Sequence, residues 1–290
     1  MHLGWYLAAP IGEFRTGLNA LQIEGRRLVV LRRENGVEVY DADCPHRGAN
    51  LANGVLRGKA IVCAFHARTI ALGERAQGLC VRQYRTLVAG DLLFVRDPAG
   101  IDGGFEAQMS ALSESHTFLP IPARTMTAPA RLVIENAFDS SHFQPVHHLV
   151  NAVRFSEFKR DAGYAAGGTF VVPASPWQRG ARDTALPFVA TAYSPSIVIS
   201  ELGGARPYTT ITAARDTPDG ALVRIVLALA KETAGDRDVP YLLRQLDTAI
   251  DADEEIWREV REIEHPAYFA DDAAVLGFRT FADEFRPTPP

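Results

Sequence analysis

The sequence predicts an all-β domain followed by an α+β domain whose sheet is antiparallel. The first hundred residues contain short β-rich segments separated by glycine and proline, without a long helical period. Farther along the chain, several strands precede one long amphipathic helix, and this order is typical of an α+β domain. A chain of 290 residues has the length of about two domains, in agreement with this division.

A hairpin is the clearest element of the N-terminal part. Leu28–Tyr40 has two β-rich arms around an Asn-Gly pair, which is a strong signal for a tight turn between antiparallel strands. We expect further strands at Ala60–Phe65 and Asp91–Val95. The regular spacing of glycine and proline between these segments favours an all-β domain.

The composition changes at Gly100–Ser115, where the residues are small, polar and flexible in composition, and we place the domain boundary near residue 115, within about ten residues. We therefore divide the chain into residues 1–115 and 116–290. In the second part we expect a helix around Ala137–His148 and a long helix at about Val239–Glu264. The expected strands between them are Gly167–Val172, Phe188–Ala192, Ser196–Leu202, Thr209–Ala213 and Leu222–Ala230.

Composition excludes several classes of protein. The chain is 47% hydrophobic and 22% charged, which is close to the globular average and excludes wholesale disorder. The net charge is −5 and there is no basic run, so we expect neither a nucleic acid nor an anionic membrane as the main partner. The apolar runs are far shorter than the roughly 20 residues of a spanning helix, and the N-terminus does not look like a signal peptide. We therefore expect no membrane span and a cytoplasmic location.

Two short segments each combine one cysteine with one histidine. Cys44 and His46 form the first pair, and Cys63 and His66 the second, sixteen residues farther on. Thiolates and imidazoles are ligands of iron-sulfur and zinc sites, but a zinc finger usually places both cysteines before both histidines. Two similar loops favour a two-iron cluster in which the thiolates hold one iron and the imidazoles the other. A structural zinc site is the alternative, and Cys80, which has no partner here, is predicted to be a buried apolar residue.

The sequence CPHRGANLANG from Cys44, followed by CAFH from Cys63, closely resembles the cluster motif of Rieske non-haem iron oxygenases. The resemblance implies that a Rieske [2Fe–2S] cluster in the N-terminal domain is held by Cys44, His46, Cys63 and His66. One departure is present, because the family usually has Gly-Trp after the second histidine and this chain has Ala67-Arg68. We expect this arginine to affect the reduction potential of the cluster or its access to solvent.

A second group of metal-ligand residues lies between Glu135 and His148. Asp139 and His142 are three residues apart and would share one face of a helix. His142 and His147 are five residues apart, which on a regular helix would separate them by about 140°. Pro145 interrupts a helix, so we expect a kink that brings the two imidazoles together. Two histidines and one carboxylate form the facial triad of non-haem Fe(II) oxygenases.

This pattern, D-x2-H-x4-H preceded by Glu-Asn, resembles the mononuclear iron motif of the same oxygenases. The resemblance implies that His142 and His147 are iron ligands. It also implies that Asp139 is a bridging carboxylate, through which electrons pass from a Rieske histidine of a neighbouring subunit, His66 by position, to His142. Ordinary core or surface histidines are the alternative for the motif alone, and His148 is the alternative ligand.

The third ligand is expected on the long helix. At 100° per residue, Asp253 lies in the middle of an apolar arc, with Leu246 and Trp257 within about 40° on one side and Val260 within about 20° on the other. A carboxylate on a buried face needs a metal or a charged partner. The sequence DEEIW from Asp253 looks like the stretch that carries the third iron ligand in the branch that includes ketosteroid hydroxylases. A buried aspartate paired with an arginine is the alternative.

The resemblance implies a terminal oxygenase component with a helix-grip-like catalytic domain. Its mononuclear Fe(II) would use O₂ to hydroxylate a C–H bond of a small, ring-containing substrate, with electrons supplied by the cluster. The family further implies a homotrimer. It also implies a separate reductase drawing on NAD(P)H, with or without a ferredoxin, because the chain has no dinucleotide-binding fingerprint.

Three functional alternatives stay open at the level of sequence. The same metal site could perform demethylation, N-oxygenation, desaturation or oxidative cyclisation. A Rieske electron carrier and a zinc-dependent module that binds an apolar ligand are the alternatives outside this activity. Substrate selectivity is expected on the second sheet and in the loop near Ala174–Leu186, where Trp177 and Phe188 could belong to the core or to a pocket.

Overall fold

The structure is a computed structural model that describes residues 1–73, 78–174, 182–261 and 263–287. Two compact units divide the chain, the first ending at Ile101 and the second beginning at Asp102. This division precedes the boundary expected near residue 115, because Phe105–Ser115 forms helix α1 of the second unit instead of a linker. Phe105, Met109 and Leu112 bury one side of α1, and the small polar residues between them obscured this helical period in the sequence.

The first unit is built from strands, as the sequence predicts. Three small sheets have the strand orders β1-β10-β9, β2-β3-β4 and β5-β6-β7-β8, and only the β7–β8 pair among the described strands is parallel. The strands are β1 (Tyr6–Pro10), β2 (Gly17–Ile23), β3 (Arg26–Arg33), β4 (Gly36–Asp41), β5 (Val55–Arg57), β6 (Ala60–Val62), β7 (Thr69–Leu72), β8 (Cys80–Val81), β9 (Arg85–Ala89) and β10 (Leu92–Arg96). The expected hairpin is β3–β4, and the strand expected at Ala60–Phe65 ends at Val62, where the second Cys-His loop begins.

Strand β3 is buried on both faces and connects the two apolar clusters of this unit. Leu28 and Val30 pack into one cluster, whereas Val29 and Leu31 pack into the other. Cys44 and Cys63 belong to the second cluster, together with Leu51, Ile61 and Ile70. The cysteines are therefore fixed by the core, while the remainder of each loop extends beyond it.

The second unit contains an eight-stranded antiparallel sheet, as predicted. Its order is β11-β18-β17-β16-β15-β14-β13, and β12 pairs with a separate part of β18. The strands are β11 (His116–Pro120), β12 (Arg124–Met126), β13 (Ser156–Arg160), β14 (Gly163–Val172), β15 (Thr184–Ser194), β16 (Ile197–Leu202), β17 (Tyr208–Thr217) and β18 (Gly220–Ala230). The four further α-helices in the described residues are α2 (Ala130–Glu135), α3 (Phe143–His147), α4 (Val239–Trp257) and α5 (Ala273–Asp283).

The helices bury one face of this sheet. The core combines Ile134 of α2, Trp257 of α4 and Phe278 of α5 with sheet residues such as Phe170 and Phe188. This arrangement confirms the α+β prediction for the second domain. Among the residues that the structure describes, no helix is long and apolar enough to cross a membrane.

Two helix predictions require correction. The helix expected around Ala137–His148 is broken, with a short 3₁₀ helix at Asn136–Phe138 and a turn before α3. Pro145 does not cause the break, because it lies in the first turn of α3, where no intrahelical partner for its N–H is needed. The long helix α4 ends at Trp257, and beyond it the apolar side chains of Val260 and Ile263 are exposed instead of packed.

A buried ion pair connects α2 with α5. The Arg279 guanidinium donates two hydrogen bonds to the Glu135 carboxylate, at 2.8 and 2.7 Å, and these bonds raise the pKa of Arg279. Glu135 is 4% exposed, and Arg131 lies 3.9 Å from it. Because Glu135 immediately precedes the segment with the predicted iron ligands, this pair fixes the start of that segment.

We predict that Arg279→Met destabilises the protein by about 3 kcal/mol, because it leaves a buried carboxylate without its bidentate partner. Urea denaturation measures this change. The matched control is Arg286→Met, which removes an exposed pair with Asp283 and should change stability by less than about 0.5 kcal/mol. Equal effects of the two substitutions would show that the Glu135 pair has no special role.

Candidate functional site

The two Cys-His loops of the first unit have the same backbone design. The Gly48 N–H donates to the Cys44 carbonyl at 2.7 Å, and the Ala67 N–H donates to the Cys63 carbonyl at 3.0 Å. In each loop the donor has a positive φ, +71° for Gly48 and +51° for Ala67. Each loop thus turns back on its own cysteine, which places the histidine at the tip.

The four side chains predicted to hold the cluster are brought together by these loops. Cys44 and Cys63 are buried, whereas His46 and His66 are exposed with ring centroids 4.8 Å apart. The backbone N–H of Phe65 lowers the pKa of the Cys63 thiol more than burial raises it. Partial desolvation, followed by the charges of neighbouring cations, lowers the pKa of His46. Both shifts favour the deprotonated forms that bind metal, so these residues fit a cluster with buried thiolates and exposed imidazoles.

In the second loop, where Ala67-Arg68 replaces Gly-Trp, a different aromatic residue lies against the histidine. Phe65 is 58% exposed and its ring centroid lies 3.8 Å from that of His66. The guanidinium of Arg47 lies over the Phe65 ring, 5.6 Å from its centroid. The aromatic contact to this histidine therefore comes from the residue before it, and Arg68 adds positive charge near His46.

We predict that Ala67→Gly stabilises the protein by about 1 kcal/mol, because a left-handed backbone is costly for a residue with a Cβ. Urea denaturation of the cluster-loaded protein, followed by its visible absorbance, measures the gain. Ala64→Gly is the control in the same loop, since Ala64 has no positive φ and glycine should lower stability there. A less stable Ala67→Gly variant would contradict the prediction.

The predicted mononuclear site comes together in the second unit. One ligand atom each of His142, His147 and Asp253 lies within 4.8 Å of the others. Asp253 Oδ1 is 3.2 Å from His147 Nε2 and 3.8 Å from His142 Nε2, and the two rings are 5.1 Å apart. Two imidazole nitrogens and one carboxylate oxygen that converge on one point fit a facial-triad metal ion.

The turn before α3 orients the first histidine. The backbone carbonyl of Asp139 accepts a hydrogen bond from His142 Nδ1 at 2.6 Å, so Nδ1 carries the proton and the unprotonated Nε2 can bind a metal. Burial lowers the pKa of His142, which favours its neutral, metal-binding form. Asn136, which sequence reasoning did not select, places its side-chain amide nitrogen 3.2 Å from His142 Nε2. The Glu-Asn pair before the motif was the available signal for this residue.

Asp253 is 8% exposed, and no arginine among the described residues pairs with it. Its acidic neighbours on α4 behave differently. Arg124 lies 2.5 Å from Asp247, 2.5 Å from Asp251 and 3.7 Å from Glu254. This arginine holds one side of the helix while Asp253 faces the histidines. The pairing with an arginine that the sequence left open is therefore absent from the described part of the chain.

Three other predicted residues have distinct positions. The Asp139 carboxylate accepts hydrogen bonds from the N–H and hydroxyl of Ser141, and its second oxygen is 4.0 Å from His142 Nδ1. His148 is the residue after α3, with φ +55°; it is exposed and is not part of the group of three converging ligand atoms. Cys80 is half-buried on β8 and not fully buried as expected.

A cavity of about 630 Å³ adjoins the triad within the second unit. His142, His147 and Asp253 are part of its wall, and most of the remaining wall is apolar. The larger apolar side chains are Phe143, Leu149, Phe170, Leu186, Phe188, Leu202, Leu246, Ile250 and Trp257. Phe188 thus belongs to both the core and the cavity, whereas Trp177 lies outside the described residues.

Two known protein families match the chain, one over the Cys-His loops and one over the triad. Residues 4–86 match the family of the Rieske [2Fe-2S] domain, and residues 100–285 match that of the 3-ketosteroid 9alpha-hydroxylase C-terminal domain. The chain belongs to the Rieske non-haem iron oxygenases. The first match contains the two Cys-His loops, and the second contains the triad and the cavity.

Individual relatives of this family are distant. The chain is 28% identical over 162 residues to the oxygenase component of 3-ketosteroid-9-alpha-monooxygenase of Mycolicibacterium smegmatis, a match of 50% of this chain and 42% of that protein. It therefore spans less than half of that relative. Cholesterol 7-desaturase nvd of Bombyx mori is 26% identical over 324 residues, covering 97% of this chain and 69% of its own length. The structure of Pseudomonas putida CBB5 NdmB has the same fold, with a TM-score of 0.71, 16% identity, and coverage of 97% and 90%.

Proposed function

We propose that the protein is the oxygenase component of a system that hydroxylates a C–H bond of a small, ring-containing organic molecule with O₂. The observation that carries this proposal is the triad of His142, His147 and Asp253 in the wall of a largely apolar cavity. A triad of this type leaves coordination positions open on the metal. A substrate in the cavity would be close to those positions.

Residues of the chain would hold and orient the groups that this reaction needs. A bound Fe(II) would activate O₂, and a [2Fe–2S] cluster on the two Cys-His loops would supply electrons one at a time. His142 is fixed in one tautomer by the Asp139 carbonyl, and Asp253 supplies the anionic ligand from α4. The phenylalanines around the triad exclude water and offer a surface for an apolar ring.

Electrons would come from NAD(P)H through a separate reductase, with or without a ferredoxin. We further propose a homotrimer in which the Asp139 carboxylate connects His142 with His66 of a second copy. Its support is that one carboxylate oxygen accepts from Ser141 while the other, 4.0 Å from His142 Nδ1, has no hydrogen-bond donor among the described residues. We also propose a reducing compartment such as the cytoplasm, because cysteines that hold a cluster must not be consumed in disulfides.

Desaturation is the second candidate outcome at the same iron, because one relative is named cholesterol 7-desaturase. Demethylation and oxidative cyclisation would use the same ligands, and product analysis separates these reactions. A pure electron carrier would have no use for the triad or for the cavity beside it.

The test is the content of iron and acid-labile sulfide in anaerobically purified protein, together with its visible spectrum. We expect about three irons and about two sulfides per chain. Two irons and two sulfides that stay unchanged on addition of Fe(II) would favour the electron carrier. Zinc without sulfide would overturn the proposed function.

A further inference from the structure

The sheet wall of the cavity beside the triad carries polar residues on the same face as Phe188. Ser200 of β16 and Thr210 and Thr212 of β17 contribute to this wall. Ser200 is directly paired with Thr210 in the antiparallel register, and Thr212 lies two residues farther along the same face. Paired residues on neighbouring strands have Cβ atoms about 5 Å apart, so the three hydroxyls form one continuous row.

These hydroxyls are not used by the fold. None of the three side chains forms a hydrogen bond with another described residue, and the same holds for the Gln245 side chain, which α4 contributes to the cavity. Thr248, also in the wall, differs because its hydroxyl donates to the Arg244 carbonyl. Four polar groups that face one cavity without protein partners are available to a ligand.

The cavity has no lysine or arginine among the described residues of its lining. The titratable side chains in the wall are the three triad residues, Tyr208 and the exposed His148. Burial raises the pKa of Tyr208, so its phenol is neutral near pH 7. A carboxylate or phosphate at the hydroxyls would lose water without a lysine or arginine to offset its charge, and the bound metal would be the positive charge of the wall.

We propose that Ser200, Thr210, Thr212 and Gln245 form the polar anchor for an uncharged substrate. Its ring body lies against the phenylalanines, and a neutral carbonyl, hydroxyl or amide group bonds to the row of hydroxyls. The anchor decides which carbon atom faces the metal and therefore acts in specificity. This inference rests on the proposed function, because it takes the cavity as the substrate site.

The first experiment compares three probes with one ring system: 2-acetylnaphthalene, 2-naphthoate and naphthalene. Equilibrium dialysis against the full chain, without oxygen and at pH 8, gives a dissociation constant for each probe with and without iron at the triad, so that a carboxylate that binds the metal is recognised by its dependence on iron. We expect the ketone to bind about tenfold more tightly than the carboxylate and about fivefold more tightly than naphthalene.

The second experiment removes single hydroxyls without changing the shape of the side chain. Thr210→Val and Ser200→Ala should each weaken ketone binding about three- to fivefold and leave naphthalene binding unchanged. Thr191→Val is the control, because Thr191 lies on the opposite face of the same sheet and its buried hydroxyl has no hydrogen-bond partner in the described part of the chain. This control should bind all probes like the original chain.

Three results would overturn the anchor: a carboxylate that binds as tightly as the ketone, variants that weaken naphthalene and ketone equally, or a ketone that does not bind up to its solubility limit. Failure of the proposed function has a different signature. A protein without sulfide or without the third iron could still prefer the ketone, whereas a fully loaded enzyme could still lack that preference.

Discussion

Replacing Asp253 by alanine is expected to reduce the iron content from about three to about two per chain, with acid-labile sulfide unchanged at about two. Product formation should fall at least about 100-fold. Metal and sulfide analysis of anaerobically purified protein measures the first effect, and turnover with a reductase measures the second.

The reason lies in the composition of the site. Without Asp253, only His142 and His147 remain at the point where the three ligand atoms converge. Two neutral imidazoles cannot balance the charge of Fe(II) and leave the facial triad incomplete. The substitution also removes a carboxylate that is 8% exposed, so the iron-free protein should not lose stability. An unchanged melting temperature of the iron-free form would separate loss of ligation from unfolding.

Asp251→Ala is the matched control on the same helix. Asp251 is exposed and contacts Arg124, which also holds Asp247. This variant should keep about three irons. The ligand assignment would be refuted if Asp253→Ala retained the third iron, or if Asp251→Ala lost it to the same extent.

The sequence allowed the ligand types to be predicted because each has a local pattern. Two Cys-His segments near each other in the sequence indicate one cluster, and they are brought together by loops of the same design. Asp253 could be selected because it lies on the buried side of an amphipathic helix. The predicted arc was too wide, however, since Ile256 and Val260 are exposed. Only the side of the arc with Ile250 and Trp257 is buried, so Asp253 lies at its edge.

Other features depend on tertiary geometry that spacing does not encode. The break before α3 comes from the turn at Asp139, where a carbonyl binds the His142 ring. We predicted the break at Pro145 because proline is a known helix breaker that can be recognised in a sequence. A turn held by a contact between a carbonyl and a histidine ring cannot be recognised in this way. Asn136 was missed for the same reason, since its role depends on how the 3₁₀ segment is directed at His142.

The second large effect is expected for Asp139→Asn. Turnover with the reductase should fall about 100-fold, while the iron and sulfide contents and the visible spectrum remain those of the original chain. Stopped-flow measurement of cluster reoxidation by O₂, after chemical reduction and with substrate bound, should show the same loss. Reduction of the cluster by dithionite should be unaffected.

The structure makes asparagine a clean replacement at this position. The hydrogen bond to His142 Nδ1 comes from the backbone carbonyl of residue 139, which the substitution retains. An amide oxygen can still accept from the N–H and hydroxyl of Ser141. The turn and the orientation of His142 should therefore persist, and the change is confined to the negative charge that is proposed to meet His66 of a second copy.

Asp271→Asn tests whether any lost surface charge has the same effect, because Asp271 is an exposed acid of the same unit. It should leave turnover unchanged. Loss of iron in Asp139→Asn would instead assign Asp139 a structural role at the metal site. Normal turnover in that variant would mean that the carboxylate is not the connection between subunits. Electrons would then have to reach His142 through neutral groups, such as the Asp139 carbonyl that already binds its ring.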